Sequence, residues 1–214
     1  KPKPNGIKIY TYNAGFKKRF NDLLVIIFDE TVESSAVYSK TSMPSAPIIW
    51  DKLNNKGKVK ALIVNSGNAN AHTGSKGIKI IDKYVNYLSK VIGCNKNEIL
   101  VSSTGIIGEQ LNPHKIIKKI KNINKTIPND NLFDAALSIM TTDTYPKITE
   151  KKVSLNGKTF KIYGIAKGSG MIHPNMGTML SYVFIQTYVP KIILKKLINN
   201  NLKNTFNSIS TDGD

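Results

Sequence analysis

At 214 residues and 40% hydrophobic content, the chain can bury a substantial core, and its composition excludes fibrous, disordered and disulfide-rich classes. The formal net charge of +17 suggests a nucleic-acid partner, but Arg19 is the sole arginine and the lysines are interspersed with Asn and Ile, as in Lys115-Ile116-Ile117-Lys118-Lys119-Ile120-Lys121-Asn122. That pattern reads as codon bias, lacks the arginine forks and signatures of nucleic-acid readers, and argues against such a partner. No apolar run approaches the roughly 20 residues that span a bilayer, and Lys1-Pro2-Lys3-Pro4 has no signal-like apolar core, so a soluble protein is expected.

In chain order, the first strong element is Asp22-Leu23-Leu24-Val25-Ile26-Ile27-Phe28. This nearly all-apolar run is closed by Asp29 and Glu30 and reads as a strand buried on both faces. Residues 59–64 read likewise. A turn-rich stretch follows, Asn65-Ser66-Gly67-Asn68-Ala69-Asn70-Ala71-His72-Thr73-Gly74, in which Asn68 and Asn70 are expected to hold turn geometry. Ile78, Ile81, Val85, Leu88 and Ile92 then keep helical spacing up to a stop at Gly93. The lone Cys94 supports neither a disulfide framework nor a metal cluster and fits a reducing compartment.

A strand over 98–102 runs into Ser103-Thr104-Gly105-Ile106-Ile107-Gly108, and helices are predicted over 113–123 and 132–140, covering a sheet. Strands over 152–155 and 158–165 flank Asn156-Gly157, the pair that best tolerates the positive φ of a type I′ hairpin turn. A last strand spans 178–186, and Pro190 opens a lysine-rich helix. The chain mixes α and β without internal repeats. His72, His114 and His173 are too scattered to suggest a metal site.

The densest anomaly is Lys167-Gly168-Ser169-Gly170-Met171-Ile172-His173-Pro174-Asn175-Met176-Gly177-Thr178-Met179-Leu180. Its glycines and proline forbid regular structure up to Gly177, and the alternation after it delivers Thr178 to a strand end. On composition alone this is a glycine-rich connection.

This segment nevertheless resembles, almost residue for residue, the cleavage-site motif of the ornithine acetyltransferase (glutamate N-acetyltransferase) family of arginine biosynthesis. Three more segments resemble that family in the same order: Val64-Asn65-Ser66-Gly67-Asn68-Ala69-Asn70-Ala71, Ser103-Thr104-Gly105-Ile106-Ile107-Gly108-Glu109 and Met140-Thr141-Thr142-Asp143-Thr144-Tyr145-Pro146-Lys147. Ala36-Val37-Tyr38 and Ala46-Pro47-Ile48-Ile49 extend the likeness over nearly the whole chain. The resemblance implies a layered α-β-β-α sandwich, incomplete in this chain, with residues 1–177 as an α-chain region and 178–214 as the start of a β chain.

It further implies self-cleavage between Gly177 and Thr178, where most relatives carry alanine in place of Gly177. Thr178 then becomes an N-terminal nucleophile whose own α-amine, with an ordinary pKa of about 7.7 to 8.0, acts as base. Acetyl would pass from N-acetylornithine to glutamate by ping-pong kinetics through acetyl-Thr178. The resemblance assigns oxyanion stabilisation to Thr104 and Gly105, and substrate contact to Lys167 and to one of Thr141 and Thr142. It implies no metal and no cofactor, acetyl-coenzyme A being a possible substrate, and a cytoplasmic α2β2 assembly with the protein's own β chain. Two other readings stand beside it: an aminopeptidase of related fold, which usually cuts before serine, and a basic nucleic-acid-binding module.

Overall fold

The computed structural model describes residues 2–170 and 179–209. A four-stranded sheet has the order β1 (Ile7–Tyr12), β2 (Leu23–Glu33), β3 (Lys58–Asn68), β4 (Ile99–Ile106). The β1–β2 and β2–β3 pairs are antiparallel and β3–β4 is parallel. A second, antiparallel sheet joins β5 (Lys147–Leu155), β6 (Lys158–Lys167) and β7 (Leu180–Ile185).

Strand period explains the layering. In β2, Leu23, Val25 and Ile27 point to one face and Leu24 and Ile26 to the other, and in β3 Ala61 and Ile63 oppose Leu62 and Val64 in the same way. The first face packs under helices α1 (Ala46–Asn54), α2 (Gly74–Ile92) and α3 (Pro113–Ile120). The second packs against α4 (Leu132–Ile139) and, through Tyr163, Ile165, Leu180 and Tyr182, against the second sheet. The order is therefore helices, sheet, sheet. Across from that core the second sheet turns outward, with Val183 57% exposed. The last helix, α5 (Lys191–Leu202), buries no residue, so no fourth layer covers that face among the described residues.

Local signals behaved as expected at several ends. Gly93 closes α2 in the left-handed region at φ 70°, and Asn156 and Gly157, at φ 50° and 73°, turn β5 into β6. Asn112 and Asn131 cap α3 and α4 by accepting the N–H groups of His114 and Asp134. No described helix is long and apolar enough to cross a membrane.

Other boundaries differ. Strands β3 and β4 continue past the apolar runs through Asn65-Ser66-Gly67 and Ser103-Thr104-Gly105 because these residues pair with each other in parallel register, supported by a 2.6 Å bond from Ser103 Oγ to Asn65 Oδ1. Asn68 and Asn70 hold the turn beyond: Asn68 Oδ1 accepts the Asn70 N–H at 2.8 Å, and Asn70 Nδ2 donates to the Gly77 carbonyl at 3.2 Å. Likewise β5 begins at Lys147, well before the expected start, through antiparallel pairing of Lys147 with Ala166. Of the strand expected over 178–186, the part from Leu180 is β7, and Thr178 lies outside the described residues.

Candidate active site

The carboxyl ends of the parallel strands β3 and β4 are where an open α/β sheet leaves room for ligands. Here Gly67 stands opposite Gly105. Gly105 has φ 132°, and a Cβ on it would meet the Gly67 carbonyl carbon and come within 2.6 Å of the Asn68 nitrogen. Gly67, at φ 105°, has the Phe16 carbonyl oxygen 2.7 Å from where its Cβ would be. Only glycine admits such close backbone approach.

The chain crossing above Gly67 is held by Asp22. Its buried carboxylate accepts the N–H groups of Ala14 and Phe16 at 2.6 Å and of Lys17 at 2.9 Å. Lys17 then reaches across the strand ends and donates to the carbonyls of Met140 at 3.0 Å and Ser138 at 3.3 Å. The Ser66 hydroxyl donates to the same Ser138 carbonyl. A cation and a hydroxyl thus satisfy carbonyls that the end of α4 leaves open.

Beyond α4 the chain presents Thr141, Thr142 and Asp143 to the end of β6. Lys167 shares the inward face of β6 with Tyr163 and Ile165, and Thr104 shares with Leu100 the face of β4 turned toward the second sheet. The two side chains meet between the sheets. Lys167, only 4% exposed, donates from Nζ to Thr141 Oγ1 at 2.7 Å and to Thr104 Oγ1 at 3.2 Å. Asp143 Oδ2 lies 3.9 Å from the same Nζ.

Asp143 is the node of the cluster. Its carboxylate accepts Lys147 Nζ and the Gly168 N–H, both at 2.8 Å, and the Thr141 N–H at 3.2 Å. Burial pushes its pKa up, but these donors and the Lys167 charge outweigh burial and hold it below the ordinary carboxylate value. The Lys167 ammonium is pushed down, mainly by burial and further by Lys147, with Asp143 opposing. Lys17 is lowered in the same way by burial, and Lys167 adds repulsion.

Thr104, Thr141 and Lys167 are therefore brought together, with Gly105 next in β4. Thr142 instead faces Ser169, their hydroxyl oxygens 2.8 Å apart. Gly177 and Thr178 lie outside the described residues. Sequence reasoning passed over Asp143, Lys147, Lys17 and Asp22. The i, i+4 spacing of Asp143 and Lys147 inside a quoted motif was the one usable signal for the first two; nothing local marks Lys17 or Asp22.

Fold and site together define a layered α/β protein with a buried lysine clasped by two threonines where its parallel strands end. Residues 8–214 match the ArgJ family. The chain belongs to the ArgJ family. It is 40% identical over 212 residues to the arginine biosynthesis bifunctional protein ArgJ of Caldanaerobacter subterraneus, covering 99% of this chain and 53% of the relative. With the protein of that name from Bartonella henselae it shares 38% over 215 residues, covering 100% and 52%. The chain thus spans about half the length of the curated relatives it matches.

A crystal structure of arginine biosynthesis bifunctional protein ArgJ from Bacillus halodurans superposes with TM-score 0.74 and 34% identity, over 81% of this chain and 92% of that one. The ornithine acetyltransferase of Mycobacterium tuberculosis, solved in complex with ornithine, matches in fold with TM-score 0.68 and 24% identity, over 83% and 94%.

Proposed function

We propose that the complete protein cuts itself between Gly177 and Thr178 and transfers acetyl from N-acetylornithine to glutamate through Thr178. The observation that carries this reading is the convergence of Thr104, Thr141 and Lys167 at one strand-end site. The chain leaves that site at Lys167 and returns to it at Leu180, the cross-strand partner of Lys167 and only two residues past Thr178. Lengths add support: the matched Bacillus halodurans chain is shorter than this one, whereas the curated relatives are about twice as long, as expected if the mature protein is divided.

In the proposed reaction the Thr178 α-amine takes the proton of its own hydroxyl as Oγ attacks the acetyl carbonyl of N-acetylornithine. Thr104 and the Gly105 N–H stabilise the oxyanion. Ornithine leaves with the proton on its amine, the acetyl ester remains on Thr178, and the glutamate amine attacks it to release N-acetylglutamate. Lys167 holds the substrate carboxylate, with Thr141 beside it rather than Thr142. The β chain that starts at Thr178 completes the site in a cytoplasmic α2β2 assembly.

On a denaturing gel the complete protein should run as two chains, the second beginning at Thr178, and Thr178→Ala should run as one. Incubation with N-acetylornithine should add one acetyl mass to the peptide beginning at Thr178. A parallel incubation with acetyl-coenzyme A tests that compound as a second donor. An active preparation whose Gly177–Thr178 bond is intact would refute the mechanism.

A further inference from the structure

We infer that Asp143 is a positioning residue that ties the turn beginning at Thr141 to the end of β6, holding the Lys167 ammonium against Thr104 and Thr141 and anchoring the chain where it leaves β6 toward Thr178. This rests on the function proposed above and adds a residue to it.

The geometry is specific. One oxygen of Asp143 accepts both Lys147 Nζ and the Gly168 N–H, and the other accepts the Thr141 N–H and faces Lys167 Nζ. Its side chain is fully buried, so water does not substitute for any of these partners. Gly168 has φ 148°, and its N–H is the first backbone group after the lysine. The neighbouring bond between Thr142 and Ser169 fastens the same two segments one residue further on. Thr141, the hydroxyl nearest Lys167, is therefore placed by Asp143 through its own backbone.

Asp143 also governs the charge of Lys167. Among the described residues, the ionisable groups around that ammonium are Asp143, Lys147 from β5 and Lys17 from the segment before β2, with Asp22 behind Lys17. Asp143 favours the proton on Lys167, and Lys147 disfavours it. Removing either one therefore moves the titration of Lys167 in opposite directions, which general loosening of the fold does not do.

The test uses Asp143→Asn and Lys147→Gln in the complete protein. Self-cleavage of Asp143→Asn, followed on a gel, should slow about tenfold or more, the equivalent of one lost hydrogen bond to a charged group. In cleaved material the KM for glutamate should begin its alkaline rise at lower pH than in the wild type for Asp143→Asn, and at higher pH for Lys147→Gln, with kcat changing less than KM. Unchanged limbs, or limbs that move the same way, overturn the proposal. If Asp143→Asn does not fold, the direction for Lys147→Gln decides alone. A wild-type protein that never cuts before Thr178 overturns the proposed function instead, a result readable before either variant is made.

Discussion

Asp143 and Asp51 are both buried aspartates, on opposite sides of the four-stranded sheet, and their surroundings treat them differently. Asp51, on α1, is 5% exposed, and its carboxylate accepts the Val101 N–H at 3.0 Å and forms no ion pair among the described residues. That N–H lies on β4, an edge strand of its sheet among the described residues, so Asp51 blunts that edge. Burial pushes its pKa up to about 8, the Val101 bond only partly opposing. Asp143, buried as deeply, faces two lysines and two backbone donors and is held below its ordinary value. Burial by itself thus does not set a carboxylate's charge; the donors supplied with it do. One aspartate holds an edge, and the other organises a site.

The largest expected effect that sharpens this contrast is on activity. Lys167→Met should raise the KM for glutamate roughly 10- to 100-fold, the loss of one charge-assisted bond, while Asp143 keeps its other three donors and the melting temperature changes little. Wild-type kinetics in that variant would remove Lys167 from the site.

Next comes stability at the charged aspartate. Asp143→Ala should lose about 3 kcal/mol at neutral pH by leaving buried lysine charge uncompensated. Because the folded pKa of Asp143 is depressed, its contribution is full above the ordinary carboxylate range and is lost as pH falls through the folded value. The gap between wild type and variant in chemical denaturation should therefore close on acidification. A gap that widens would mean Asp143 is buried neutral, like Asp51.

Asp51 has the opposite sign. Its folded pKa is raised, so the native state binds the extra proton between the ordinary carboxylate range and pH 8, and its presence lowers stability as pH rises across that window, by up to about 1.4 kcal/mol per unit. Asp51→Asn keeps an acceptor for Val101 and should flatten that slope, leaving the variant relatively more stable at pH 8 than at pH 5. A slope identical to wild type would break the comparison. The smallest effect serves as a control far from both: Gly93→Ala should cost about 1 kcal/mol through its left-handed φ, with no change in any pH profile.

Much of this contrast was hidden in the sequence. The apolar run from Leu23 announced its strand, and Asn156-Gly157 its hairpin, because both signals are local. The segments around Thr104, Thr141 and Lys167 stood out by family resemblance, and the fold brings these three side chains into contact. Nothing in the neighbours of Asp22 and Asp51 along the chain reveals the backbone N–H groups that reach them in space. Period-two spacing does put Lys167 on the face of Tyr163 and Ile165, but a lysine on an apolar face is normally read as the end of that face.

By itself, then, the sequence determined the mixed α/β class, the family, the main strands and the short segments that resemble the family's motifs, because periodicity, turn geometry and motif likeness are written in neighbouring residues. Only the tertiary structure decided that Thr141 rather than Thr142 meets Lys167, that Asp143 joins three segments, and which buried aspartate keeps its charge. Those outcomes depend on groups from β4, β5, β6 and the end of α4 arriving at one place, and electrostatics in a buried site responds to distance in space rather than separation along the chain.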